Sequence, residues 1–313
     1  MALDARQPRA KIHLTALAWL RYRIVREVTV DAVYVTPLHR FGNALHQLGN
    51  ASLVAQKSGV RHVVIGRHHT FRKPTTFAED KHLSFRLPSA NLWWRGRAVL
   101  VGRFFWDEEF PDTCNPGQIS TALRGIGSSV IEQERVSVWG ADVLVIHLRS
   151  GDVFSDPAPR KYGQPPLSFY TLIVSSKKWS QIVVVSEDTN NPVFDGLVSY
   201  CRDREIPCVT YSGDLLSDLH VLAGAKNLVV ATGTFGRAVI ACSDEIEAVY
   251  EFEQTGFLYP LPSSVSHHRV VDVAGEYRQA VLSGNWKNTP EQKELMVSYP
   301  QENLGFVDVA RSM

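Results

Sequence analysis

Four short apolar runs, at residues 143–147, 182–186, 207–211 and 228–231, alternate with stretches of helical spacing at 167–176, 192–204, 215–225 and 235–242. Apolar runs this short, bounded by polar residues, read as strands buried on both faces. Strands alternating with helical segments imply a parallel sheet with right-handed crossovers. A sheet of this kind meets its ligands in the crevice outside the carboxyl ends of its strands. Residues that carry chemistry are therefore expected just after those runs.

The first half opens in a related way. Residues 32–35 read as a strand, 36–42 as a loop, 43–58 as a helix closed by Gly59, and 60–65 as a second strand, with a further helical stretch at 13–30. Between His68 and Pro116 the pattern is mixed, with extended runs such as 98–104, and a helix at 118–135 closes the domain despite Gly125 and Gly127. Beyond the second half come a strand at 270–273 and a helix near 276–282. The polar end either packs back on the first domain or frays. The expected organisation is an α/β chain with an N-terminal domain over 1–138, a second domain over 139–285 and a C-terminal tail over 286–313.

Composition narrows the partners. A chain of 313 residues with 44% hydrophobic and 21% charged residues has the make-up of a soluble protein large enough for two cores. Its formal net charge of +1 gives no long-range field to recruit nucleic acid or an acidic membrane. The apolar stretch 14–35 is interrupted by Arg21, Arg23, Arg26, Glu27 and Asp31, so it is not read as a membrane span, and no secretory leader pattern is visible. A soluble, cytoplasmic protein is the expectation. Cys114, Cys201, Cys208 and Cys242 show neither metal-like CxxC spacing nor the density of a disulfide framework. The pairs His68-His69 and His267-His268 diverge, and no H-x-x-x-H or D-x-D occurs, so no metal site and no cofactor are expected.

The strand at 143–147 runs into His147-Leu148-Arg149-Ser150-Gly151-Asp152. Alternation puts His147 and Arg149 on one side of the chain as it leaves the sheet. Arginine offers a planar fork of donors to phosphate oxygens and stays charged. The competing reading is an ordinary strand-end salt bridge between Arg149 and Asp152. The next strand ends in Ser186-Glu187-Asp188, where an acid meets a ribose or base, or else caps the following helix. Residues 227–237 form a strand, a glycine-bearing turn and a helix start, with Thr232 and Thr234 as hydroxyl donors; such a turn is an anion site or simply a tight connection. Asp218 lies one helix earlier, as a ligand group or else as a helix cap or a surface charge. In the first half, Asn43 and Gln47 stand one helical turn apart, pointing amides at a ligand or, for Asn43, capping the helix. Trp93, Trp94, Phe105 and Trp106 either stack on sugar faces or fill the core.

Taken together, the HxRxGD run, the Ser186-Glu187-Asp188 acid motif, the D-L-x-x-L-x-x-A run from Asp218, Thr234-Phe235-Gly236 and Gly42-Asn43 resemble the α1,2/α1,6/protein-O-fucosyltransferase superfamily. The resemblance covers about residues 33–60 and 143–250. It implies a GT-B-like fold, with two Rossmann-like domains facing across a cleft. It also implies that Arg149 binds the donor's β-phosphate, that His147 and Glu187 or Asp188 contact the guanosine, and that Thr234, Phe235 and Gly236 cradle the diphosphate. Asn43 and Asp218 are carried over as donor-binding positions. The chain departs from the α1,6 pattern in having Arg149-Ser150 where that pattern has a doubled arginine, and Thr234-Phe235-Gly236-Arg237 where it has TF-S-S.

The implied activity is metal-independent, inverting transfer of fucose from GDP-fucose to a glycan hydroxyl, with Arg149 stabilising the leaving diphosphate and Asp152 or Asp156 taking the acceptor proton. The alternatives are another donor on the same fold (GDP-mannose, GDP-rhamnose or a UDP-sugar), a catalytically silent nucleotide-sugar binder, and a phosphate-ester hydrolase using His147.

Overall fold

The structure is a computed structural model describing residues 31–36, 40–57, 59–66, 68, 70–71, 75–78, 81–85, 99–104, 116–127, 130–131, 136–253, 261–262 and 264–308; for 75–78, 81–85, 99 and 116–121 it describes the backbone. The expected helix at 13–30, together with His69, Trp93, Trp94, Phe105, Trp106 and Cys114, lies outside the described residues. The chain divides into two compact units, 1–130 with 258–260 and 131–257 with 261–313.

In the first unit, β1 (Ala32–Val35), β2 (His62–Ile65), β3 (Thr75–Ala78), β4 (Lys81–Phe85) and β5 (Val99–Gly102) form one sheet in the order β3-β4-β2-β1-β5. β1 is parallel to both β2 and β5, β2 is parallel to β4, and β3 runs antiparallel to β4. Helix α1 (Phe41–Lys57) buries Leu45, Leu48 and Ala51 as well as two amides on the same buried surface. Those amides are satisfied by backbone after β5: Gln47 Nε2 donates to the Arg103 carbonyl at 2.7 Å and Asn50 Nδ2 to that of Phe104 at 2.9 Å. Helix α2 (Pro116–Gly127) is shorter than the expected 118–135. It stops at Gly127, whose carbonyl accepts from the Val130 amide at 2.8 Å, and Val130 and Ile131 are buried outside the helix.

The second unit holds a seven-stranded sheet of β6 (Val143–His147), β7 (Gln181–Val185), β8 (Cys208–Tyr211), β9 (Asn227–Val229), β10 (Ala248–Phe252), β11 (Ser266–Asp272) and β12 (Leu304–Asp308). Their order is β12-β11-β10-β9-β6-β7-β8, and all pairings are parallel except β11 with β12. The crossovers carry α3 (Leu167–Ser176), α4 (Phe194–Asp203), α5 (Leu215–Ala223) and α6 (Thr234–Cys242). The mixed α/β, parallel-sheet organisation is therefore what the structure shows. From β6 the chain winds outward through β7 and β8, then returns past β6 to lay down β9, β10 and β11 on the other side. The reversal falls between β6 and β9, and this is the topological switch point.

β6 is buried along its whole length, and α3 buries Phe169, Tyr170, Ile173 and Val174 against the sheet. The stretch read as a C-terminal tail is integral to this unit. Helix α7 (Glu276–Val281) is followed by Trp286, fully buried, whose Nε1 donates to the Val153 carbonyl at 2.7 Å. Helix α8 (Pro290–Ser298) is started by a capping box between Thr289 and Gln292, and Tyr299 donates its hydroxyl to Asp272 Oδ1 at 2.6 Å. No helix among the described residues is long and apolar enough to cross a membrane.

Candidate functional site

The switch point separates the chain leaving β6 from the chain leaving β9, and the elements on its two sides meet through their side chains. His147 ends β6 at 8% exposure and packs edge-on against Phe235 in the first turn of α6, ring centroids 5.1 Å apart. Its Nδ1 is buried and has no hydrogen-bond partner among the described residues. Burial, then the nearby Arg149 charge, lower the His147 pKa to about 3, so the imidazole is neutral at physiological pH. Gly236 makes the approach possible, because a Cβ there would stand 3.0 Å from Val230 Cγ1 and 3.5 Å from His147 Nδ1. The turn before α6 also depends on glycine: Gly233 has φ +144°, a conformation other residues avoid. The first amides of α6, at Thr234 to Gly236, thus begin at the carboxyl end of β9 and carry the positive end of the helix dipole.

Arg149 follows β6 by two residues. Its Nη2 donates to Asp152 Oδ1, so the strand-end salt bridge is formed. The pair is open: the side chains are 24% and 45% exposed. A pair this exposed is worth about 0–1 kcal/mol, and a diphosphate carrying more charge can displace Asp152. Arg149 Nε, in contrast, is buried without a partner among the described residues, an unmet demand of about 1–3 kcal/mol.

The loop that carries Arg149 is stitched to the end of β7. Asp188 accepts from Ser150 Oγ, from the Gly151 amide at 3.4 Å, from the Asn190 amide at 2.9 Å and from Asn190 Nδ2 at 2.8 Å. Burial works to raise the Asp188 carboxyl, but these hydrogen bonds outweigh it and hold the group below the usual carboxylate range. Asn191 completes the clamp, donating Nδ2 to the Arg149 carbonyl at 2.8 Å and its amide to Ser150 Oγ at 3.1 Å. Asp188 is therefore committed to holding the arginine loop. The helix-capping reading of the acid motif fails, since α4 begins at Phe194 with Val193 as its N-cap. Glu187 is exposed and leans over Gly151.

Asp218 lies in the first turn of α5 and accepts from the Gly213 amide at 3.0 Å, while Asp214 supplies the cap. Burial raises the Asp218 pKa to about 6; the Gly213 amide opposes this, and the charges of Asp214 and Glu187 add to it. Glu187 and Asp218 thus form an acidic pair beyond β7 and β8. Asp156 stands exposed beyond the short 3-10 turn Gly151–Phe154. Asn43 belongs to the first unit, inside the first turn of α1, so it does not cap that helix as one reading had it.

Two residues had no sequence signal beyond their place before Pro165-Pro166. Gln164, fully buried, donates Nε2 to the Tyr162 carbonyl at 2.8 Å and to that of Thr232 at 3.2 Å. It thereby holds the Tyr162 ring beside Gly233, 3.8 Å from where a Cβ would stand. Among the described residues no group of three or more His, Cys, Asp or Glu side chains is arranged to hold a metal ion.

No family model matches the chain. No curated protein matches it in sequence. Solved structures similar to it include POFUT1 in complex with GDP, at 12% identity over 71% of this chain and 98% of that one, with a TM-score of 0.42. A glycosyl transferase of family 9 from Veillonella parvula DSM 2008 is similar at 9% identity over 82% and 92%, TM-score 0.43. The E. coli ADP-heptose LPS heptosyltransferase II is similar at 13% identity over 80% and 71%, TM-score 0.29. At these identities and scores the reading of the site rests on its own geometry.

Proposed function

We propose that the chain is a GT-B-type glycosyltransferase that moves a sugar, fucose from GDP-fucose foremost, onto a glycan hydroxyl with inversion and without a metal ion. The observation that carries the reading is the flanking of the switch point by Arg149 on one side and the α6 N-terminus on the other. Donors aimed from both sides at one diphosphate are the device that stabilises negative charge growing on a leaving group. In this reading Arg149 and the amides of 234–236 take that charge. Neutral His147, packed on Phe235, offers a hydrogen bond without adding charge. The acidic pair Glu187 and Asp218 supports guanine, whose ring N–H and amino group are adjacent donors, over uracil with a single N–H. Asp152 or Asp156 serves as the base for the acceptor hydroxyl.

Calorimetric titration with GDP, UDP and their sugars, followed by a panel of labelled donors, tests the proposal. GDP is expected to bind at least about tenfold more tightly than UDP, the loss of one good hydrogen bond to a charged group. Arg149→Ala is expected to abolish transfer while leaving the fold intact, and near-normal turnover in that variant overturns the assignment. Asp152→Asn separates the two roles of its carboxylate: a fall of about 10²–10⁴-fold marks the base, and a small change marks a buttress for Arg149. GDP binding with no transfer to any glycan would make the chain a silent binder instead.

A further inference from the structure

Two cysteines meet where α4 gives way to β8. Cys201 stands in the last turn of α4 and is fully buried, while Cys208 is the first residue of β8 and half-buried. The connection between them is tight. The Arg204 amide donates to the Cys201 carbonyl at 3.2 Å and the Ile206 amide to the same oxygen at 2.9 Å, with Glu205 at φ +55° between them. The chain thereby reverses and lays Cys208 against the core that already contains Cys201. The two thiols are hydrogen-bonded to each other. β8 is an edge strand, and residues 202–205, 207 and 209–210 around the pair are exposed, so solvent reaches Cys208 and not Cys201. The contact also divides the work between the two sulfurs. The hydrogen bond from Cys201 holds the Cys208 thiol below its ordinary range, against burial, and the same bond, with burial, holds Cys201 above it. The accessible sulfur is therefore the one that ionises first, and a thiolate is the form that attacks a disulfide. Cys242 differs: burial, then the Asp244 charge, push its thiol up to about 12.

We propose that Cys201 and Cys208 form a reversible oxidation site, which takes a small-molecule disulfide as its oxidant and closes a bridge between α4 and β8. The Cys208 thiolate attacks one sulfur of the reagent, whose S–S bond breaks to release one thiolate. Cys201 then gives its proton to solvent and attacks the Cys208 sulfur of the mixed disulfide, expelling the second thiolate. The chain loses two thiol protons and two electrons; the reagent gains both and leaves as two thiols. The bridge ties the edge strand of the sheet to the helix before it. It lies at the amino end of β8, whereas Glu187 and Asp218 lie beyond the carboxyl ends of β7 and β8, so the proposal stands apart from the transferase reading.

Glutathione disulfide is the probe, applied to the folded full chain carrying Cys114→Ser, then alkylation in urea and peptide mapping. The expected product has Cys201 joined to Cys208 and Cys242 alkylated. A chain alkylated at all three cysteines, or one that stops with glutathione on Cys208, overturns the proposal. Adding Cys201→Ala is expected to arrest the reaction at glutathione-bound Cys208, and an unmodified Cys208 in that variant counts against it equally. Glutathione redox buffers applied to the folded chain, and to the chain in urea, measure what the fold contributes. The bridge is expected to form at least about tenfold more favourably in the folded chain, a shift well resolved by such buffers. By linkage, a bond that the fold favours also favours the fold, so the oxidised chain is expected to unfold at a higher urea concentration than the reduced one. Equal equilibria in the two states, or a lower midpoint on oxidation, overturn the proposal without reference to any variant.

Discussion

Glu187 packs directly over Gly151: a Cβ on that glycine would stand 2.3 Å from Glu187 Oε2. The contact joins the tip of β7 to the loop that carries Arg149, and it exists because position 151 has no side chain and adopts φ +65°. Gly151→Ala strains the loop in two ways. The left-handed conformation costs a non-glycine residue about 1–2 kcal/mol, and the exposed Glu187 carboxylate must swing aside. Urea unfolding of the variant is expected to show a loss of about that size, with the slope unchanged. An unaltered midpoint would mean that the loop relaxes to another conformation, and donor binding measured on the same variant reports whether Arg149 moved with it.

His147 is expected to make stability depend on pH in the acid range. Its folded pKa of about 3 lies below the ordinary 6.5, so the unfolded chain binds the proton more tightly. The contribution is full above pH 6.5 and is lost as pH falls toward 3. At pH 5 the loss amounts to about 2 kcal/mol. His147→Gln has no proton to bind there. Comparing urea midpoints at pH 7 and pH 5, the wild type is expected to fall further than the variant by an amount of that order. Parallel behaviour of the two proteins would mean that the imidazole is not desolvated.

Much of this was legible in the chain. The strands of the second sheet nearest the switch are buried on both faces, so uninterrupted apolar runs such as Val143–His147 marked them and placed His147 and Arg149 at a strand tip. β10 went unread, although Ala248–Phe252 is β-branched and aromatic, because Glu251 breaks its apolar run; the glutamate is held inside by His267 and Arg269, partners that a sequence does not pair. β12 is an edge strand with Phe306 and Val307 partly exposed, so it lacks an interior signature. Helix α8, with its Thr289-Pro290 start, went unread in a stretch taken as a polar tail, because its packing depends on Trp286 reaching Val153, a contact spanning 133 residues. At the site, residue types were readable and commitments were not. Asp188 and Glu187 are neighbours in sequence, but Ser150, Gly151 and Asn190 occupy one carboxylate and leave the other exposed.

Asp218 provides the opposite pH signature from His147. Its folded pKa of about 6 lies above the ordinary 3.8, so the folded chain binds the proton more tightly. The favourable contribution is complete below pH 3.8 and disappears as pH rises through 6; at neutral pH the charged carboxylate is held against burial and against the neighbouring Asp214 and Glu187 charges. Asp218→Asn keeps an oxygen to accept from the Gly213 amide and removes the charge. Discounted for partial solvent screening, the variant is expected to be more stable than the wild type by about 1 kcal/mol at pH 7.5, with the gap closing by pH 4. The same substitution is expected to weaken GDP, because an amide cannot match a carboxylate facing guanine donors. Urea midpoints across that pH range, with GDP titrations at pH 7.5, check both halves. Greater stability with unchanged GDP affinity would make Asp218 a strained helix-start acid and remove it from the donor site.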